Sequence, residues 1–191
     1  MKKIMFNDKY GLTQAVLKGR KTMTRRVINA ENIPDDPEYG YAPNIDACCV
    51  FNEDDVVAKS QYNLCEVVAI AQCYYDVYGY ETCISERGEK DSGIFNKMFV
   101  RADSMPHHIK ITHICVERLQ DISDEDCSKE GIRTWDYNNN PFPPAYDFIN
   151  SPKSSYKTPR EAFAALIDKV YGRGTWKSNP YVFVYEFELV D

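Results

Sequence analysis

The apolar segments of this chain are short, and no regular alternation of strand, helix and strand joins them, which excludes a doubly wound parallel sheet. The clearest segment is Val67-Val68-Ala69-Ile70-Ala71 between Glu66 and Gln72, whose length and β-branched content make it a buried strand. Lys3 to Phe6 reads as a short opening strand, and Phe99-Val100 as a brief one. Ile109-Lys110-Ile111-Thr112-His113 alternates with period two until the phase shifts at Ile114-Cys115-Val116, so a bulge is expected near His113. Tyr181 to Val190 alternates again and closes the chain.

Three helices lie between these strands. Asn7 or Asp8 is placed to cap a helix running to about Lys18, with Leu12, Ala15 and Val16 as its apolar stripe and Gly19 as its left-handed terminator. Ser123, with Asp126 three residues later, starts a short helix that Gly131 stops. Thr158-Pro159-Arg160-Glu161 combines a cap, a proline at the first helical position and a glutamate at the third; Phe163, Leu166, Ile167, Val170 and Tyr171 then recur on one face before Gly172. The expected fold is α+β: one domain over residues 1–191, built as a small mixed β-barrel with flanking helices. Stretches near 29–60, 74–98 and 133–157, rich in Pro, Gly, Asn and aromatics, read as long loop insertions that hold local structure and wall a site, the last of them with no regular element from Trp135 to Lys157.

A chain of 191 residues buries roughly 68–70% of its unfolded surface, enough for a core without staples. Seven cysteines, most of them in apolar segments (Cys65, Cys73, Cys115), read as buried thiols of a reducing cytoplasm, and neither a membrane span nor an export signal is expected. The net charge is −6, but residues 1–30 carry eight cations against Asp8 alone, leaving −13 on the remainder. That imbalance excludes wholesale coating of nucleic acid and favours an anion met at one spot.

The spot is Lys18-Gly19-Arg20-Lys21-Thr22-Met23-Thr24-Arg25-Arg26, five cations and two hydroxyls directly after a helix. A chain leaving a helix through a glycine turn can aim backbone N–H groups, a lysine and hydroxyls into one concavity suited to an anion or a polar carbonyl. Composition alone also allows a solvated basic turn.

The spacing Gly19-x-Lys21-x-x-x-x-Arg26 resembles the signature of the ASCH domain, a PUA-like β-barrel superfamily associated with RNA, and Gly19 to Arg26 is similar to the GRKTxTRR form of phage and prophage members. Glu66 to Gln72, Val116 to Ser123 followed by Glu130-Gly131-Ile132, and Asn179 to Phe187 resemble further blocks of that family in the same order. The resemblance implies a PUA-like barrel with RNA or a modified nucleoside as partner. One bacterial class of the family removes the acetyl group from N4-acetylcytidine with a Lys, a Thr and a Glu, which fall here on Lys21, Thr24 and Glu130. In that role a Thr hydroxyl attacks once a neighbouring amine is partly neutral, and the carboxylate orients the amine or shuttles a proton. Gly19, Arg20, Arg25 and Arg26 would then bind the nucleoside or RNA, without a cofactor. Arg25 departs from the minimal form, which tends to be apolar there, and the chain is about twice as long. Read by position alone, Glu130 is a water-facing residue at a helix end; the alternatives to hydrolysis are a non-catalytic RNA-binding module and a phage-derived accessory protein that acts through a protein partner.

Other candidates carry less. His107-His108 with His113, and Cys48-Cys49, lack metal-ligand spacing, so no metal site is expected. Tyr74, Tyr75, Tyr78 and Tyr80 can stack bases or pack their own loop down. Trp135 and Trp176 read as anchors, and Gly172-x-Gly174 follows a helix instead of the strand a dinucleotide loop needs.

Overall fold

The structure, a computed structural model, describes residues 1–30, 33–53, 55–79, 92–136, 143–153 and 155–190. Among these the fold is α+β, with ten strands and five helices. The principal sheet contains β1 (Lys3–Ile4), β6 (Val67–Ile70), β7 (His108–Arg118), β10 (Tyr181–Leu189) and β2 (Met23–Val27), in the order β1-β6-β7-β10-β2. β1 runs parallel to β6; every other neighbouring pair is antiparallel. Four of the five expected strands, β1, β6, β7 and β10, therefore share one mixed sheet. Its pairing is open, with β1 and β2 as the two edges among the described residues.

β7 and β10 form the spine. Their register skips Thr112 where Glu186 faces His113 and Phe187 faces Ile111, which is the bulge expected near His113. It moves the buried phase of β7 from Ile109 and Ile111 to Val116. β10 is buried from Tyr181 to Tyr185, and its Val182 and Tyr185 sit in the core with Ile4, Phe163, Leu166 and Tyr62.

The helices α1 (Leu12–Leu17), α2 (Tyr74–Tyr78), α3 (Asp124–Lys129), α4 (Pro159–Val170) and α5 (Thr175–Ser178) are short. Asn7 caps a 3-10 turn at Asp8–Tyr10, and Gly11, at φ 67°, lets the chain swing from that turn into α1. Ser123 accepts from the backbone N–H of Asp126, and Thr158 from that of Glu161, as their spacing implies. Gly19, at φ 68°, ends the turn after α1.

Two stretches read as irregular hold strands. Residues 29–60 contain the meander β3 (Glu38–Ala42), β4 (Ala47–Asn52) and β5 (Asp55–Lys59), which turns at Pro43 to Asp46, where Asp46 adopts φ 53°. Ala47 to Phe51 is an apolar run, and its acidic, Pro-rich flanks hide the pattern. Residues 133–157 contain the pair β8 (Arg133–Trp135) and β9 (Ala145–Asp147), clamped by the Arg133 guanidinium on Asp147 at 2.7 and 2.8 Å. Phe99-Val100 is no strand, because the Lys3 ammonium draws the carbonyls of Lys97, Met98 and Val100 around itself and curls the segment. Strand β1 also stops at Ile4, short of Phe6. Cys65 is exposed at φ 63° and Cys115 only half-buried, whereas Cys73 is buried; the six described cysteines are free thiols. No helix among the described residues is long and apolar enough to cross a membrane.

Candidate functional site

The gap between the open edges of the sheet holds a cavity of about 500 Å³. The chain just past β1 (Met5 to Lys9) forms one wall, β2 (Thr24 to Arg26) another, and Phe163, Leu166, Ile167, Val170 and Tyr171 of α4 and its C-terminal end a third. Leu12, Lys21, Glu130 and Lys97 complete it. Successive side chains of a strand leave on opposite faces, so Thr24 and Arg26 leave β2 on one side and Arg25 on the other. The cavity takes both because it lies against the unpaired edge of β2.

An edge strand leaves carbonyls without strand partners. Here the Lys21 ammonium donates to Met23 O at 2.7 Å, and the Tyr171 hydroxyl donates to Arg25 O at 2.9 Å. Lys21 reaches this point because the turn after α1 docks onto the end of α3, where the Thr22 N–H donates to Lys129 O at 2.9 Å. Its other two N–H groups go to Glu130 O at 2.9 Å and Glu130 Oε2 at 2.6 Å. All three donors of the ammonium are thus committed within the protein.

The basic run divides cleanly. Lys18, Gly19 and Arg20 are exposed and outside the cavity lining, as a solvated turn would be. Lys21, Thr24 and Arg25 are buried, at 2%, 5% and 3% exposure. Glu130, read by position as a water-facing helix end, is 4% exposed because it closes α3 directly beneath Lys21 and Arg25. Its Oε1 accepts from Arg25 Nη1 at 3.2 Å, and Arg25 Nε continues to Glu117 Oε1 at 2.8 Å.

Burial pushes the Lys21 ammonium below its ordinary pKa; Glu130 opposes the shift, and Arg26 and Arg25 add to it by repulsion. Burial also works against charge on Arg25, but Glu130 and Glu117 more than offset it, so its pKa rises. The Tyr171 phenol is raised by burial, against the attraction of Arg26 for its anion.

Two polar groups on the cavity wall remain unused. The Thr24 hydroxyl has no hydrogen-bond partner among the described residues, and the Arg26 Nε–H is buried without one. Arg26 Nη2 donates instead to Met5 O at 2.6 Å, and its Cζ stands 5.9 Å from the Phe6 ring centroid. The Lys21 Nζ stands 5.8 Å from the same ring, so two cations lie close to Phe6. Lys97 pairs with Asp8 at 2.9 Å and donates to the Phe6 carbonyl.

Lys21, Thr24, Arg25, Arg26 and Glu130 therefore share one cavity, while Gly19 and Arg20 do not reach it. Phe6, Lys97 and Tyr171 line it without a local sequence signal of function: Tyr171 reads as the last position of a core stripe, and Lys97 sits in a polar loop. The tyrosine cluster lies elsewhere: Tyr74 stacks on Tyr78 with centroids 6.0 Å apart, and Tyr75 packs on Phe95 at 5.7 Å, whereas Tyr80 lies outside the described residues. Trp176 anchors edge-on against Phe163 at 6.1 Å; Trp135 is 46% exposed beneath the Arg133 guanidinium. Among the described residues no group of three or more His, Cys, Asp or Glu is placed to hold a metal ion. No family model matches this chain, and neither does any curated protein or solved structure.

Proposed function

We propose that the cavity binds a nucleoside-sized planar ligand and hydrolyses an amide on it, as the resemblance to the N4-acetylcytidine deacetylases of the ASCH family implies. The observation that supports this is the shared lining: Lys21, Thr24, Arg26 and Glu130 meet at a cavity of about 500 Å³ in which the Thr24 hydroxyl is free. A cavity of that size lies within the range of small-molecule sites, roughly 300–1,000 Å³. In this reading Thr24 Oγ attacks the carbonyl carbon and its proton passes by way of the Lys21 amine to the departing nitrogen; the C–N bond breaks to leave an acyl-threonine and a free amine. Water then cleaves the ester, releasing acetate and restoring the hydroxyl. Glu130 holds the amine and exchanges a proton with it, and the Arg26 Nε–H donates to a carbonyl of the ligand.

The same reading makes the five-stranded sheet the wall of a PUA-like barrel whose open edges the Arg26 side chain spans, and it places the protein in a reducing cytoplasm, in keeping with its free thiols. One observation favours binding without hydrolysis: an ammonium whose three protons are all donated has no lone pair for a base until Glu130 takes one of them. Incubation of the purified protein with N4-acetylcytidine, with acetate and cytidine followed by chromatography, separates the two. Release of both products supports hydrolysis. Saturable calorimetric binding with no acetate at high protein concentration supports the binding module, and neither signal overturns the nucleoside reading.

A further inference from the structure

Arg25 differs from the other cations of the cavity in facing three carboxylates at once. Its Nε and Nη2 reach Glu117 Oε1, each at 2.8 Å, its Nη2 also lies 3.6 Å from Asp126 Oδ2, and its Nη1 is 3.2 Å from Glu130 Oε1. Glu130 is consequently shared, with Oε1 toward Arg25 and Oε2 toward Lys21 at 2.6 Å. A carboxylate drawn toward a guanidinium offers less attraction to a second cation, and the guanidinium itself repels the neighbouring ammonium. We propose that Arg25 is a positioning residue that acts on the Lys21 amine through Glu130, taking a share of the carboxylate and so loosening the amine's hold on its proton. This rests on the reading of Lys21 as partner to Thr24, and it supplies what that reading lacks: a means of freeing one of three committed protons.

The charged and titratable groups around the pair fit that role. Lys21 faces Glu130 at the end of α3 and Arg25 and Arg26 on β2. Arg25 faces Glu117 and the Cys115 thiol on β7, and Asp126, Cys127 and Glu130 on α3, with Lys129 drawing on Asp126 at 3.4 Å. Tyr171, at the end of α4, holds the Arg25 carbonyl. Glu117 and Asp126 compete with Glu130 for the guanidinium, so weakening either concentrates Arg25 on Glu130.

The test follows the Lys21 Cε and Nζ resonances of the full chain, labelled in lysine, through a pH titration. Arg25→Met should raise the Lys21 midpoint by about one pH unit. Arg25→Lys, which keeps a cation there, should restore most of the native midpoint, and Glu117→Gln should lower it. A purely structural disturbance has no reason to move the Lys21 midpoint in opposite directions in Arg25→Met and Glu117→Gln. An unchanged or lowered midpoint in folded Arg25→Met, or a raised one in Glu117→Gln, overturns the proposal; if Arg25→Met does not fold, Glu117→Gln decides alone. The readout needs no turnover, so shifted midpoints without acetate release would overturn only hydrolysis, and acetate release with unmoved midpoints would overturn only the role of Arg25.

Discussion

The Arg26 guanidinium donates to the carbonyl oxygen of Met5 at 2.6 Å, and with that bond a side chain spans the gap between the two open edges of the principal sheet. β2 carries the donor, and the acceptor lies just beyond β1. The cavity occupies the space that further strand pairing would fill, so access to it depends on a side chain and not on a backbone ladder.

Arg26→Met keeps the apolar stem against Phe6 and removes the bridge. The bond is partly exposed, so its loss should cost about 1 kcal/mol of stability. Amide exchange at Met5 and Phe6 should quicken more than exchange in β7 and β10, as mass spectrometry of deuterated peptides would resolve. Uniform quickening across all strands would mean that the bridge does not hold the edges locally.

Glu130→Ala leaves Lys21 and Arg25 buried with one carboxylate removed from between them. Breaking a buried pair in this way costs about 3–5 kcal/mol, and Glu130→Gln should cost less because the amide oxygen still accepts a hydrogen bond. The pH dependence has a definite sign. Lys21 holds its proton less tightly folded than unfolded, so between its folded pKa and the ordinary lysine value the unfolded chain binds more protons and stability rises with pH. Without Glu130 the folded pKa falls further and the window widens downward. Urea denaturation of Glu130→Ala at neutral and mildly alkaline pH should show part of the loss recovered at the higher pH.

Tyr62 titrates in the opposite sense. Burial pushes its phenol from 10.0 up to about 12, and its hydroxyl donates to Lys3 O at 3.1 Å. The stability it lends is complete below the unfolded value and is lost as pH rises through the folded one. That loss is on the order of 2–3 kcal/mol between pH 10 and about 12. Tyr62→Phe should flatten that part of the stability profile, and equal alkaline losses in the two proteins would assign the effect to other groups.

Much of this arrangement is legible along the chain, and the unread parts share a cause. Thr158, Pro159 and Glu161 announce α4 because capping is a local interaction, and the bulge of β7 shows because a phase shift is visible in one strand. The meander β3 to β5 is hidden because strand pairing satisfies its backbone across a turn whose Pro and acidic residues look irregular. Within the basic run, nothing local separates exposed Arg20 from buried Lys21. The difference arises 109 residues away, where Glu130 ends α3 under one of them. Lys97 and Tyr171 enter the cavity for the same kind of reason: partners distant in sequence, Asp8 for one and the Arg25 carbonyl for the other.

Thr24 offers the sharpest separation of function from stability. Its hydroxyl is bonded to nothing among the described residues, while its backbone is fixed opposite Tyr185 in the β2–β10 ladder. Thr24→Val keeps the branched shape and removes only the hydroxyl, so unfolding free energy should stay within about 1 kcal/mol of the native value, with no hydrogen bond broken. If the hydroxyl is the nucleophile, acetate release from N4-acetylcytidine should fall by at least about 10³-fold, and Lys21→Met should match it. The double variant should be scarcely worse than either single one, because a nucleophile and its base act as one unit. Thr24→Ser should retain measurable turnover, and the native rate should climb with pH until the Lys21 amine is neutral. Turnover in Thr24→Val close to that of the native protein would remove the hydroxyl from the chemistry, and additive losses in the double variant would show that Lys21 and Thr24 act separately.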